Sequence, residues 1–288
     1  MVLDPSRFIG RSFPERRFRY TERDTQLYAL AVGMAQDPLD RKELPFACGP
    51  DTPVLPSQAT VIAWDYGFLL GSGIDEARIL HGAQSVTLHR PLPAAADIVS
   101  RFSVTDLFDK GPGKGAVIVA RTEIFEAASG TPLCTNVWTS YARGEGGFGG
   151  KRGESVPVRP PPARAPDHGL DSRTWPNQPL FYRLLGDINP LHWDPDFAAL
   201  GGFDRPIMHG LCTFGIACRA VVATVCDHDP RRIRGFRCQF SAPAFPGDTI
   251  RTDIWVEGPR AVFRCRAVER DVDLVVNGKA SLAQAPED

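Results

Sequence analysis

The sequence predicts an α+β protein made of two diverged copies of one unit, each an antiparallel sheet curled on helical elements. Three observations predict this. The 288 residues correspond to about two domains at roughly 100–200 residues each. A Gly-rich then Pro-rich run lies midway, from Gly144-Glu-Gly-Gly-Phe-Gly-Gly150 through Pro157, Pro160, Pro161, Pro162 and Pro166. Such a run holds neither a helix nor a central strand, so it reads as a linker. The flanks then carry helices and alternating strands in the same order. The expected units are residues 1–143, a linker over 144–176, and a second unit over 177–288.

Each element has a local reason. Thr21 followed by Asp24 is a helix start, and the spacing predicts a helix over 22–34. Its counterpart starts at Asn177, with Pro179 in the first turn, and runs through Leu185. Tyr28 and Tyr182 occupy corresponding places. Extended runs follow from Gln84 and from Phe236, leading into the turns Arg90-Pro-Leu-Pro93 and Ala242-Pro-Ala-Phe-Pro-Gly247. Beyond them Ile98, Ser100, Phe102 and Val104 alternate with Val99, Arg101 and Ser103. In the second copy Ile250, Thr252, Ile254 and Val256 alternate with Arg251, Asp253 and Trp255. A period of two is the mark of a half-buried antiparallel strand.

The copies differ at one place. Residues 211–226 read LCTFGIACRAVVATVC, apolar nearly all round, and a helix of this kind is buried with a sheet wrapped on it. The first copy has no equivalent, because 39–80 is interrupted by Pro45, Pro50, Pro53, Pro56 and several glycines. The segment is either a long loop or the wall of an apolar channel where the helix is missing.

Composition narrows the function. Lys plus Arg is 33 and Asp plus Glu is 34, a net charge of −1, without the basic surplus of a nucleic-acid binder. The longest apolar stretch is too short to span a bilayer and contains Arg219. No secretory h-region opens the sequence, and the end Ala-Pro-Glu-Asp is no peroxisomal address, so a cytoplasmic protein is expected. The seven cysteines include no Cys-x-x-Cys pair, which fits reduced thiols with neither disulfides nor structural zinc.

The strongest chemical signal is Gly186-Asp-Ile-Asn-Pro-Leu-His192. Pro190 pushes Asn189 out of the α region, so the helix stops and the chain turns back. The turn brings His192 toward Asp187. A carboxyl and an imidazole facing one gap hold a water and move protons to and from it. Asn189 is placed to orient the water or the pair, although Asp-x-Asn-Pro alone is also ordinary turn chemistry. The second signal, Arg205-Pro-Ile-Met-His-Gly210, precedes the buried helix. There the Gly210 amide, at a helix N-terminus, suits a developing oxyanion. His209 is a weaker second acid–base candidate, more often structural beside such a glycine. Asp109-Lys-Gly-Pro-Gly-Lys114 is a turn bearing two cations, a solvated β-turn or a phosphate contact.

Together with Leu80-His-Gly82, Asp109-Lys-Gly111, Gly146-Gly-Phe-Gly-Gly-Lys-Arg152 and Phe245-Pro-Gly247, these motifs resemble the (R)-specific 2-enoyl-CoA hydratases, hydratase 2 of the MaoC-like proteins. The similarity is to the two-repeat form found in peroxisomal multifunctional enzyme type 2, and it covers nearly the whole chain. The resemblance implies a double hot-dog fold with an intact Asp-x-Asn-Pro-x-His signature only in the second repeat. In the first, Ala35-Gln-Asp-Pro38 has lost it. It also implies that Asp187 and His192 activate water, Asn189 supports them, and the Gly210 amide receives the thioester oxygen. Ile188, Pro190, Leu191 and Phe240 would contact the acyl-CoA, and His81, Gly82 and Lys110 its CoA portion. No metal or cofactor is implied, since CoA belongs to the substrate, and a homodimer is expected. A hot-dog acyl-CoA thioesterase and a non-catalytic acyl-CoA-binding module are the rival functions.

Overall fold

The computed structural model describes residues 3–65 and 73–283. The first repeat contains β1 (Arg16–Tyr20), α1 (Glu22–Ala31), α2 (Leu44–Ala47), β2 (Ile79–Leu88), β3 (Ala96–Asp109), β4 (Ala116–Glu126) and β5 (Pro132–Ala142). The second contains β6 (His168–Arg173), α3 (Gln178–Tyr182), α4 (Pro195–Leu200), α5 (Gly210–Thr224), β7 (Ile233–Phe240), β8 (Thr249–Glu257), β9 (Arg260–Ala267) and β10 (Val272–Leu282). The two orders match element for element around the sheet.

Two separate sheets were expected, and one continuous antiparallel sheet is found, in the order β1-β3-β4-β5-β2-β7-β10-β9-β8-β6. The order is palindromic about the β2–β7 pair, which runs from Ala83 opposite Gln239 to Thr87 opposite Gly235. Joining the repeats there pairs the two strand edges that separate sheets would leave open, and an open edge is a site of unwanted association.

Helix α1 begins as predicted, with the Thr21 amide and hydroxyl both donating to the Asp24 carboxylate (2.8 and 2.7 Å). It ends at Ala31 rather than Met34, because Gly33 turns left-handed at φ +88°. The second predicted helix divides, α3 giving way to a 3₁₀ turn over Arg183–Leu185. Asn177 stands at its N-cap without a capping side-chain bond. Gln178 instead accepts the Trp175 amide at 2.9 Å.

Helix α5 is the axis of the core. Its residues from Leu211 to Val222 are all buried. At Gly215 a Cβ would lie 2.4 Å from Val32 and 2.8 Å from the Tyr28 hydroxyl, so only glycine lets α1 approach this closely. Arg219 emerges from α5 into a buried ion pair with Glu43 at 2.7 Å. Glu43 also accepts the Ala35 amide at 2.8 Å, which fastens the second repeat's helix to the first repeat's loop. Removing one partner of such a pair strands the other charge and costs about 3–5 kcal/mol.

The linker is shorter than expected, since β6 falls within 144–176 and pairs with β8. The preceding stretch lies along the outer side of β8, where Trp255 donates to the Arg164 carbonyl (2.9 Å) and Val256 to the Asp167 carboxylate (2.7 Å). Trp255 and Asp253 are both buried, Asp253 between the guanidinium groups of Arg251 and Arg264, so β8 is more enclosed than its alternation predicts. Ile98, Ser100 and Val104 on β3 are buried as predicted. All seven cysteines are free thiols, six of them buried.

In the first repeat the chain replaces α5 with short 3₁₀ turns, Pro56–Thr60 and Glu76–Arg78. The predicted loop also includes residues 66–72, which lie outside the described residues. Beside these turns a cavity of about 1040 Å³ opens between the repeats. Thr60, Trp64 and Trp138 line it from one side, and His192, Phe203 and Met208 from the other.

Candidate active site

Asp187 sits immediately after Gly186, whose φ of +116° turns the chain out of the 3₁₀ turn. Asn189 then accepts the Leu191 amide at 3.0 Å, starting a one-turn 3₁₀ helix over Pro190–His192. Ordinary turn chemistry therefore builds the dyad: the Asx turn folds His192 back toward Asp187. Their side chains, with that of His209, place one nitrogen or oxygen each within 4.8 Å of the others.

All three groups are buried, Asp187 at 4%, His192 at 9% and His209 at 1% exposure, and burial sets their protonation. Loss of water lifts the Asp187 carboxyl to about 7, opposed by the Asn189 amide. The same effect lowers His192 to about 4, opposed by its bond to Ile207. His209 is pushed well below the usual histidine range, first by burial and then by His192. At neutral pH both imidazoles are uncharged, and the Asp187 carboxyl, near 7, is protonated in about half of the molecules.

The backbone also fixes the tautomers. The His192 Nδ1–H donates to the Ile207 carbonyl at 3.0 Å, which leaves Nε2 a bare acceptor. The His209 Nε2–H donates to the Asp187 carbonyl at 3.1 Å. The two rings stack with centroids 3.8 Å apart at 30°. Their spacing would admit a metal by distance alone. Lone pairs of stacked rings lie in near-parallel planes and do not converge on one ion, so no metal role is assigned. A second cluster, Asp40, Glu43 and His228, has its Glu43 carboxylate committed to Arg219.

Gly210 opens α5 after His209 at the N-cap, and its amide has no acceptor within the helix. The loop before it is held in place by the Met208 amide donating to Ala244 at 2.8 Å, beside the Phe245-Pro-Gly247 turn. A Cβ at position 210 would touch the Phe240 ring at 3.5 Å, and Phe240 meets the His81 ring edge to face at 5.1 Å. His81 spends its Nε2–H on Ala83 (3.0 Å), and burial lowers it to about 4. Gly82 lies at an irregularity in the β2–β5 register, where a Cβ would be 2.8 Å from the Thr139 hydroxyl.

Asp187, Asn189, Leu191, His192, Gly210, Phe240, His81, Gly82 and Lys110 all line this cavity. Two residues expected to contact substrate, Ile188 and Pro190, do not line this cavity. Ile188 is 66% exposed, because the turn that aims Asp187 and Asn189 inward points the residue between them outward. Pro190 serves as the first residue of the 3₁₀ turn and is absent from the cavity wall. Lys110 has a use that its sequence did not reveal, donating to the Arg152 carbonyl at 2.7 Å. Its neighbour Asp109 organises that whole corner, accepting the Gly111, Gly147 and Gly149 amides at 2.7–2.8 Å. Two motifs 38 residues apart in sequence are thus one structure, joined by the buried Asp109 carboxylate.

Two family models cover most of this chain. The MFE-2 hydratase 2 N-terminal domain matches residues 18–144, and the MaoC like domain matches residues 157–277. The chain belongs to the MaoC-like hydratase 2 family. It is 40% identical to Enoyl-CoA hydratase ChsH3 of Mycobacterium tuberculosis, over 96% of this chain and 98% of that one. It is 38% identical to Enoyl-CoA hydratase 2, peroxisomal, of Arabidopsis thaliana, over 91% and 90%. A crystal structure of a MaoC-like dehydratase from Phytophthora capsici aligns with a TM-score of 0.82 at 30% identity, covering 98% of both chains. The ten-stranded sheet wrapped on α5 is accordingly the double hot-dog of this family.

Proposed function

We propose that the protein is a hydro-lyase, an (R)-specific 2-enoyl-CoA hydratase that reversibly adds water to trans-2-enoyl-CoA in β-oxidation. The observation that carries this reading is the buried dyad, a carboxyl held at about 7 beside an imidazole held at about 4, opening on a cavity shared by both repeats. The family relationship and the names of its hydratase relatives support it.

In the proposed reaction a water lies between the His192 Nε2 and the Asp187 carboxyl. Its oxygen bonds to C3 as the bare Nε2 takes one of its protons. The C2–C3 π pair shifts to C1–C2 and the carbonyl π pair moves onto the thioester oxygen, which the Gly210 amide receives at the positive end of α5. The enolate then collapses and C2 takes the proton from Asp187. Return of a proton from His192 to Asp187 resets the pair, and the net change is one water added. Both groups act from one wall, so the addition is syn, and the family relationship assigns the product as the (3R)-3-hydroxyacyl-CoA.

On this reading Leu191 and Phe240 hold the acyl thioester, His81 and Gly82 shape the passage for the pantetheine arm, and Lys110 meets a CoA phosphate. The chain takes no resident metal or cofactor. Among the described residues no helix is long and apolar enough to cross a membrane. A cytoplasmic location fits the free thiols, and a homodimer fits the exposed Leu180 and Phe181 of α3 with Leu184 of the 3₁₀ turn that follows it. The division into two repeats at the linker completes the proposal.

The test is to mix the protein with a trans-2-enoyl-CoA and follow enoyl absorbance, free thiol and product chirality together. Loss of absorbance without thiol, giving only the 3R alcohol, is expected. Thiol release would make the protein a thioesterase, and binding without turnover would make it a carrier.

A further inference from the structure

His209 contacts both members of the dyad and the start of α5 while standing outside the cavity wall. Its Nε2–H donates to the Asp187 carbonyl at 3.1 Å, 22 residues back in the chain. Its ring stacks on His192 at 3.8 Å, and Tyr182 packs on it at 4.9 Å. Its own carbonyl accepts the Cys212 and Thr213 amides (3.0 and 3.2 Å), which sets the first turn of α5 and so the direction of the Gly210 amide. One residue therefore connects the Asp187 backbone, the His192 ring and the first turn of the helix that carries the Gly210 amide. We infer that His209 is a positioning residue that fixes Asp187, His192 and Gly210 relative to one another, and that it works as an uncharged donor and stacking plate. The inference rests on the dyad reading above and adds a role to it.

The arrangement explains why this position holds histidine rather than a plain apolar residue. The stack alone would be met by phenylalanine, and the bond to Asp187 alone by glutamine. Histidine supplies both from one ring. It does so as the neutral form, because a cation stacked on His192 would sit in a site with no water to solvate it. The groups facing it from the packed elements are Asp187, His192, Tyr182 and, more distantly, Arg183. A displaced Asp187 loop would admit water to the carboxyl and weaken the desolvation that holds its proton.

The experiment compares His209→Phe and His209→Gln with the wild type, with Asp187→Asn as the control for the dyad reading. The phenylalanine variant keeps the stack and loses the donor. The expected result is a fall in kcat of about 10- to 100-fold, with KM within threefold, since misplacing reactive groups acts on the transition state. Its kcat/KM should also decline at lower pH on the alkaline side, as water lowers the Asp187 carboxyl. The glutamine variant restores a donor and should recover at least about fivefold of the lost kcat. Melting curves and circular dichroism establish that each variant is folded. If both folded variants keep wild-type kcat and pH profile while Asp187→Asn is inactive, His209 is packing only and the inference is overturned with the dyad intact. If Asp187→Asn is itself active, the dyad reading fails first. Equal changes in kcat and KM that follow melting temperature, without Gln rescue, would also overturn it.

Discussion

Asp187→Asn exchanges a buried carboxyl for an uncharged amide of the same shape, and the structure predicts opposite effects on activity and stability. In the unfolded chain the carboxyl ionises near 3.9; in the folded protein burial holds it at about 7. Between those values the native state binds a proton that the unfolded state has lost, so wild-type stability falls as pH rises. At 1.36 kcal/mol per pH unit the whole interval is worth roughly 4 kcal/mol, an upper bound. The amide lacks this loss but gains a buried N–H₂ to satisfy, which removes about 1–3 kcal/mol of the gain. The variant should therefore equal or trail the wild type near pH 4 and exceed it by about 1–3 kcal/mol at pH 8. In a protein this large that is roughly 2–10 °C in melting temperature. Its kcat should drop by at least about 10², the scale of a positioned acid. The assay is a set of thermal melts from pH 4 to 9 on both proteins, paired with enoyl-CoA hydration rates. Melting temperatures that run parallel across the whole pH range would refute the reasoning, because the carboxyl would then be solvated in the native state.

His192→Gln should lose at least about 10² in kcat while remaining folded, and the double variant with Asp187→Asn should be little slower than either alone, since both act on one water; steady-state rates on one enoyl-CoA check this. The His192 imidazole is held at about 4, below its unfolded value near 6.5, so stability present above pH 6.5 is lost as pH falls toward 4, and melts of His192→Gln should show a shallower acid decline. Lys110→Ala should raise KM for the full CoA substrate and leave kcat nearly unchanged. The rise is at the low end of 10-fold, because the ammonium is half-exposed and screened. A short pantetheine thioester should show no such rise, and equal losses on both substrates would mean that Lys110 serves only to hold the Arg152 carbonyl.

What could be read from the sequence depended on distance along the chain. The Asp187–His192 turn was legible because its causes are local: Gly186 turns left-handed, Asn189 caps and Pro190 blocks the helix, all within six residues. The buried α5 was legible because apolar residues surround it on every side. The single sheet was not, since β2 and β7 pair across some 150 residues and nothing in either strand names its partner. β6 was hidden for a different reason. Its sequence, His-Gly-Leu-Asp-Ser-Arg, carries no apolar alternation, and its place comes from hydrogen bonds to β8. The same distance obscured His209, whose bond to Asp187 and stack on His192 exist only after the loop before α5 folds against the dyad turn. Ile188 misled because adjacency in a motif says nothing about which way a side chain faces.

The two repeats differ where the chemistry needs them to differ. A hot-dog unit is stable with its helix enclosed, as α5 shows, but a filled unit has no room for an acyl chain. The first repeat gives up that helix and contributes the cavity, and it also supplies the wall that dries the dyad. A Cβ on Gly186 would lie 3.4 Å from the Cβ of Trp64, so a first-repeat indole packs directly on the turn that carries Asp187. Thr60 and Trp64 line the same space as the carboxyl. Desolvation is the main cause of the high Asp187 value, and the first repeat's Trp64 stands against the turn that carries it. The second repeat alone would present its dyad to water at the place Trp64 occupies, and Asp187 would return toward the ordinary carboxylate range with no proton to give at neutral pH. The first repeat's vacated helix position thus supplies both the space of the cavity and the Trp64 wall beside Asp187.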